Sequence, residues 1–379
     1  MGVNGLIKII VQFAPGCITK RKFRYYNGKK VPMDSYQALY KFAIALRNTK
    51  HYRNIHGEEI SHLFAIFFKT CSMLRYAILP LWVIDGKPPS IKKNTLDVRK
   101  KNKESAFTRL SSDDLSDEDK CRLEKKIIGV TGKHIKDIKY LLDLMGLPYF
   151  DAPEEAEAQC AAFERSHITN GVATEDWDAL LFGCNKMLKN FSNKSDVIEI
   201  DRHVLLQKLG MTQEQLIDLG SILGNDYCDG ISGLKPTDAY EKFKQCDFDM
   251  EKFLKYIKKE TRYSIPRLFT EQWKEATNYF INAPVIRPDN ATLVWNSPKF
   301  DELYRYLVDI KGFNHDLIIP RINELKLMYT YYFKDRKLVT LSQINRELQV
   351  HIIDNKRTTY ILNYIEPSVP NINEIPPIT

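Results

Sequence analysis

Short apolar runs alternate with amphipathic stretches along most of the chain. Leu6 to Phe13 places its apolar residues on one helical face, and Pro15-Gly16 closes the segment. Lys30 to Met33 reads as a strand stub entering Asp34. Leu39, Tyr40, Ala43 and Leu46 recur at helical spacing, which predicts a helix over Tyr36 to Asn48; Ser61 to Tyr76 predicts another. Leu79 to Ile84 is a continuous apolar run broken by Gly86-Lys87-Pro88-Pro89, the pattern of a buried strand. A helix from His134 to Met145, a strand over Leu147 to Phe150, and a helix opened by Ala152-Pro153 follow. Gly171 to Thr174 reads as a strand and Gln213 to Leu223 as a helix ended by Gly224. Ile231 to Phe243 reads as a turn into a helix, with helical segments to about Lys326. Strands alternating with helices predict an α/β fold: a central, mostly parallel sheet covered by helices on both faces.

Two stretches depart from that rhythm. Residues 90–135 are rich in cations, at Ile91-Lys92-Lys93 and Val98 to Lys103, with few large apolar residues. They predict a mobile insertion that meets substrate, although such runs are usually solvated helix faces. Beyond Lys326, Leu348 to Asp354 and Thr358 to Ile365 flank Asn355-Lys356 and predict a β-hairpin before an extended, Pro-rich tail. The expected organisation is 1–89 and 136–326 as two halves of one catalytic domain, 90–135 as the insertion, and 327–379 as an extension.

Composition narrows the class. With 44% hydrophobic residues in 379, global disorder is excluded. The seven Cys include no Cys-x-x-Cys pair, which argues for a reducing compartment without zinc or a disulfide framework. No apolar run reaches membrane-spanning length and no secretory signal pattern opens the chain, so an intracellular protein is expected.

The chemistry lies in seven carboxylates at strand ends and helix starts: Asp34, Asp85, Glu155, Glu157, Asp176, Asp178 and Asp226. Ligands of open α/β sheets bind outside the carboxyl ends of the strands. Acids converging there repel one another unless hard cations neutralise them, Mg²⁺ first, with Mn²⁺ as a substitute. Asp176 and Asp178 are two apart, so an extended chain would put both on one face. Glu155 and Glu157 have the same spacing on an expected helix, which swings them apart unless they sit at its first turn. A single acid of this kind is usually a cap or a surface charge; seven together are not. The net charge is nevertheless +8, so cations dominate elsewhere. A negative pocket in a positive protein suits a phosphate polymer cut at two metal ions. Lys92 and Arg99 are two helical turns apart on one face and could meet the scissile phosphate.

Met1-Gly-Val-Asn-Gly-Leu, Ile84-Asp-Gly-Lys-Pro-Pro, Tyr149-Phe-Asp-Ala-Pro-Glu-Glu-Ala-Glu-Ala, Ala173-Thr-Glu-Asp-Trp-Asp and Gly224-Asn-Asp-Tyr-Cys resemble the flap endonucleases of the structure-specific 5′-nuclease superfamily. The resemblance spans roughly residues 1–330, in order. It implies metal-ligand roles for all seven acids and a helical gateway at 90–135 with Lys92 and Arg99 as its catalytic pair. It also implies DNA contacts at Gly2 of the processed N-terminus, at Tyr40, which would stack on a base, and at Arg47, Lys69, Lys100 and Lys103. Gly233 and Lys235 of a helix–two-turn–helix element and Phe313 of a 3′-flap pocket complete the set. The implied activity is a Mg²⁺-dependent 5′ flap endonuclease with 5′–3′ exonuclease activity, monomeric, acting in replication and repair. The alternatives are a junction or bubble nuclease, or a non-catalytic DNA-binding relative. The implied location is the nucleus, or a viral replication site, since abundant Asn, Ile, Lys and Tyr suggest the AT-rich genome of a large DNA virus or a protist.

Departures from the family pattern carry expectations of their own. Gly233-Leu-Lys-Pro-Thr-Asp238 stands where Gly-Ile-Gly-Pro-Lys-Arg is usual, and Gly230 where a Ser helps bind K⁺. Weaker duplex anchoring and loss of the K⁺ site follow. Leu325 replaces the Gln of a clamp-binding box, so Met328 to Tyr332 reads as packed aromatic core and a sliding-clamp partner is left open.

Overall fold

The computed structural model describes residues 2–39, 57–110, 130–287 and 293–335, together with 54, 116, 119, 123 and 343. The expected helix beyond Leu39, with Tyr40 and Arg47, and the expected C-terminal hairpin and tail lie outside the described residues.

Among the described residues, seven strands build one sheet: β1 (Ile18–Arg21), β2 (Lys30–Asp34), β3 (Leu79–Ile84), β4 (Tyr149–Asp151), β5 (Val172–Ala173), β6 (Lys186–Lys189) and β7 (Val197–Asp201). Their order is β1-β7-β6-β5-β2-β3-β4. The run from β6 to β4 is parallel, whereas β7 pairs antiparallel with both β6 and β1. β3 is buried at every residue, as a strand covered on both faces must be. Its Pro80 is tolerated because of the length of its neighbour. Leu79 N–H donates to Lys29 O on the β2 side, so the donor that Pro80 lacks would face β4. β4 pairs only from Trp82 onward, and no ladder bond is lost.

Helix Ser61–Leu74 packs on β3 and on helix Gly132–Leu144, while helix Ala156–Arg165 packs on β2, β3 and β5. Trp82, Phe67, Phe163 and Leu63 are fully buried in the core between these layers.

Several boundaries differ from the sequence reading. β1, β6 and β7 were not expected. Pro153 precedes its helix by a full turn, because the helix begins only at Ala156. Residues 93–110 form a regular helix, Lys93–Leu110. Helix His315–Asp335 runs through position 326, where a change of unit was expected. The six described cysteines are buried free thiols.

Candidate active site

Topology brings the acids together. Asp34 closes β2, Asp85 follows β3, and Asp176 and Asp178 follow β5. β5, β2 and β3 are adjacent and parallel, so these acids share one carboxyl edge. Glu155 and Glu157 arrive after β4, and Asp226 lies in the turn after helix Gln213–Leu223.

The local geometry departs from the expected one at both closely spaced pairs. Glu155 is the N-cap of its helix, with extended backbone (φ −81°, ψ 129°), and Glu157 lies in the first turn. The bend between cap and helix undoes the angular separation that helical spacing would impose. Carboxylate oxygens of Asp85, Glu155 and Glu157 consequently come within 4.8 Å of one another. Asp176 and Asp178 converge in a turn, not in extended chain. Asp178 opens helix Asp178–Leu181, and its N–H donates to Asp176 Oδ1 at 3.2 Å.

Backbone donors fix the carboxylates. Asp34 accepts from Tyr36 N–H at 2.7 Å and Gln37 N–H at 3.1 Å. Asp85 accepts from Ala156 N–H, the first of its helix, at 2.7 Å. Asp178 Oδ1 is buried and without a hydrogen-bond partner. Burial first, and then the charge of Asp85, pushes the Asp34 carboxyl well above the usual carboxylate range. Burial and then Asp34 do the same to Glu157, and burial and then Asp176 to Asp178. An orphaned carboxylate oxygen among buried, mutually repelling acids is a donor set for a hard divalent cation.

Two cations face the cluster. Lys92 Nζ donates to both Glu155 oxygens at 2.9 and 2.8 Å and lies 3.3 Å from Asp226 Oδ2. Burial works against its charge, but Glu155 and Asp226 outweigh it and hold the ammonium above its ordinary pKa. Arg99 Nη2 donates to Asp226 Oδ1 at 2.7 Å, with its side chain 50% exposed. Both cations reach the Asp226 carboxylate, Lys92 from the short turn Ser90–Lys92 that leads into helix Lys93–Leu110; their spacing suggests a shared face toward a phosphate. The sequence reading missed Thr95, whose Oγ1 donates to the Asp226 carbonyl at 2.6 Å. Its position between Lys92 and Arg99 on the same helical face was the available signal.

The remaining expected residues are spread more widely. Gly2 touches the acids: with φ +77°, a Cβ there would overlap Asp176 Oδ1 and come within 2.8 Å of Asp178 Oδ1. Lys69 Nζ donates to the Phe191 carbonyl. Lys100 and Lys103 are exposed on helix Lys93–Leu110. Gly233 and Lys235 lie in the turn before helix Pro236–Gln245, which Lys235 caps. Phe313 is buried, its ring parallel to that of Phe64 at 6.3 Å. At Gly230 a Cβ would meet Leu223 O at 2.6 Å and Gly224 N at 2.7 Å, so this backbone has no room for a serine. Leu325 and Met328 are buried.

The XPG N-terminal domain matches residues 1–106 and the XPG I-region matches residues 146–226. The fold is similar to the catalytic core of Rad2 in complex with DNA substrate, at TM-score 0.64 and 25% identity over 86% of this chain and all of that one. It is also similar to flap endonuclease-1 from Methanococcus jannaschii, at TM-score 0.63 and 29% identity over 83% and 97% of the two chains. The fold is therefore that of a structure-specific nuclease. Flap endonuclease 1 of Kluyveromyces lactis is 36% identical over 335 residues, covering 86% of this chain and 87% of the yeast protein. The human flap endonuclease 1 is 34% identical over 337 residues, 86% of each. The chain belongs to the flap endonuclease family.

Proposed function

We propose that this DNA nuclease is a Mg²⁺-dependent 5′ flap endonuclease with 5′–3′ exonuclease activity, holding two ions between its seven carboxylates. The observation that carries the reading is that Lys92 and Arg99 meet Glu155 and Asp226, while Glu155 comes within 4.8 Å of Asp85, the acid that follows β3. Bound divalent ions would supply hydroxide at neutral pH and neutralise charge on the attacking and leaving oxygens. Asp34, Asp85, Glu155, Glu157, Asp176, Asp178 and Asp226 would hold them. Lys92 and Arg99 would face the scissile phosphate and stabilise its transition-state charge. The N-terminal turn at Gly2 lies against Asp176 and Asp178 and would border the same phosphate. The enzyme would act as a monomer in replication and repair. Cleavage rates on flap, nick, bubble and four-way-junction substrates test this reading. A preference for bubbles or junctions over flaps would overturn it, as would failure to cut any of them in Mg²⁺ or Mn²⁺.

The raised carboxyl groups give a signed pH effect. Folded Asp34, Glu157 and Asp178 keep protons that the unfolded chain releases near the ordinary carboxylate pKa. The folded state then binds more protons, so metal-free stability falls as pH rises from that value through the folded pKa values. A divalent cation offsets the loss. Thermal midpoints in EDTA and in Mg²⁺ should therefore diverge as pH rises, and a gap that stays constant with pH would exclude this coupling.

Duplex grip at helix Pro236–Gln245 should be weak. Asp238 lies in its first turn, where it favours the helix dipole but repels a phosphate approaching the same N–H groups. Asp238→Arg should tighten duplex binding and steepen the log–log salt dependence by about one unit. Binding and slope both unaltered would mean that this turn faces away from DNA. Exchanging K⁺ for Na⁺ should matter little, given the closed backbone at Gly230.

A further inference from the structure

Helix Lys93–Leu110 leaves Val98 exposed and, further along, carries an aromatic ring that packing does not explain. Ala106 is buried, at 2% exposure, while its neighbour Phe107 stands 66% exposed, more than any other large hydrophobic side chain among the described residues. A helix that needed only to pack would turn the ring inward and the methyl outward. Single exposed apolar residues are common, so the surroundings decide what this one means.

Thr95, Arg99, Lys103 and Phe107 follow at four-residue spacing and form one ridge along the helix. The lower end of the ridge is fixed at the acids, through Thr95 on the Asp226 carbonyl and Arg99 on its carboxylate. Lys103 stands a turn higher, and Phe107 lies about 12 Å along the axis from Arg99. Lys100 is seven residues before Phe107 and shares its side of the helix. Lys100, Lys103 and Phe107 are all exposed.

We infer that Phe107 is a stacking platform for one base of the single-stranded 5′ flap, with Lys100 and Lys103 holding the neighbouring phosphates. This rests on the flap-cutting reading and deepens it. An aromatic face set among cations is how proteins bind single strands without reading sequence, because every base has a π-face and every nucleotide a charge. Duplex DNA keeps its bases stacked inside and offers the ring nothing. The cations of the ridge select a polyanion over an apolar protein surface.

The test is equilibrium binding in an Asp178→Ala background, where cleavage does not intervene. Phe107→Ala should weaken a flapped substrate by about 5- to 100-fold, the span of one base–aromatic stack, with a much smaller effect on a flapless nick. Phe107→Leu, apolar but without a π-face, should behave like Phe107→Ala. Phe107→Trp should retain affinity, and its fluorescence should be quenched by the flap. Thermal unfolding of each variant checks that it folds. An abasic site moved along the flap should find one position where the parent drops to the level of Phe107→Ala and the variant loses nothing more. Equal losses with and without a flap, or no such abasic position, would overturn the inference. If the parent itself shows no preference for flaps, the flap reading fails instead. An abasic scan on an unattached single strand would then still report on the ring.

Discussion

Asp178→Ala should lower single-turnover flap cleavage by about 10³-fold or more while raising the thermal midpoint of the metal-free protein. Both effects have one cause. Asp178 is 5% exposed, its Oδ1 has no hydrogen-bond partner, and Asp176 and Asp226 crowd it with like charge. Without a cation its ionised form is costly to bury, so alanine relieves repulsion and desolvation at once. With a cation it is a ligand, and its loss moves charge stabilisation away from the reacting phosphate; a thousandfold rate loss corresponds to about 4 kcal/mol of transition-state energy. DNA binding should not weaken, because the acid repels phosphate when unligated. Cleavage and differential scanning fluorimetry in EDTA, read on one preparation, separate the causes. Losses in both activity and stability would point to a structural role, and undiminished cutting would remove Asp178 from the ligand set.

The active centre was legible in the sequence where chain geometry is local and obscured where it is not. Asp34 and Asp85 could be placed because apolar runs, Val31 to Met33 and Leu79 to Ile84, lead straight into them, and both strands formed as expected. Convergence of β5, β2 and β3 followed from the parallel-sheet reading. The spacing arguments for Glu155–Glu157 and Asp176–Asp178 failed in detail, because both pairs straddle the entry to a helix, where neither period applies. The antiparallel edge was missed for a different reason. β1 reads Ile-Thr-Lys-Arg and β6 Lys-Met-Leu-Lys, too short and too charged for a hydrophobic period to register. β1 owes its strand character to pairing with distant β7, which no local pattern encodes, and β6 to β7 on one side and β5 on the other. Thr95 offered only a positional signal, its place between Lys92 and Arg99; its hydroxyl gains chemical meaning only with the Asp226 carbonyl 2.6 Å away.

Arg99→Ala should reduce the single-turnover rate by about 10²- to 10³-fold, the usual loss when one donor to a transition-state charge is removed. Its cost in substrate affinity should stay below about tenfold, since one phosphate contact among many is lost. The split follows from how Arg99 is held. One guanidinium nitrogen is engaged by Asp226 at 2.7 Å, while half of the side chain remains open to solvent. The planar group has donors to spare for a phosphate without leaving its carboxylate. Lys92 differs: its side chain is 13% exposed and its ammonium already shared between Glu155 and Asp226. Lys92→Ala should therefore disturb the acids themselves, lowering the rate and also shifting the Mg²⁺ concentration at half-maximal rate. Arg99→Ala should leave that concentration nearly fixed. Arg99→Lys should recover only part of the rate, because a point charge does not reproduce the fork. Single-turnover rates at saturating enzyme, titrated with Mg²⁺ for each variant, decide between them. Equal losses of rate and affinity in Arg99→Ala would mean that Arg99 holds substrate without acting on the transition state. Identical Mg²⁺ midpoints in the two alanine variants would mean that Lys92, too, acts on the phosphate alone.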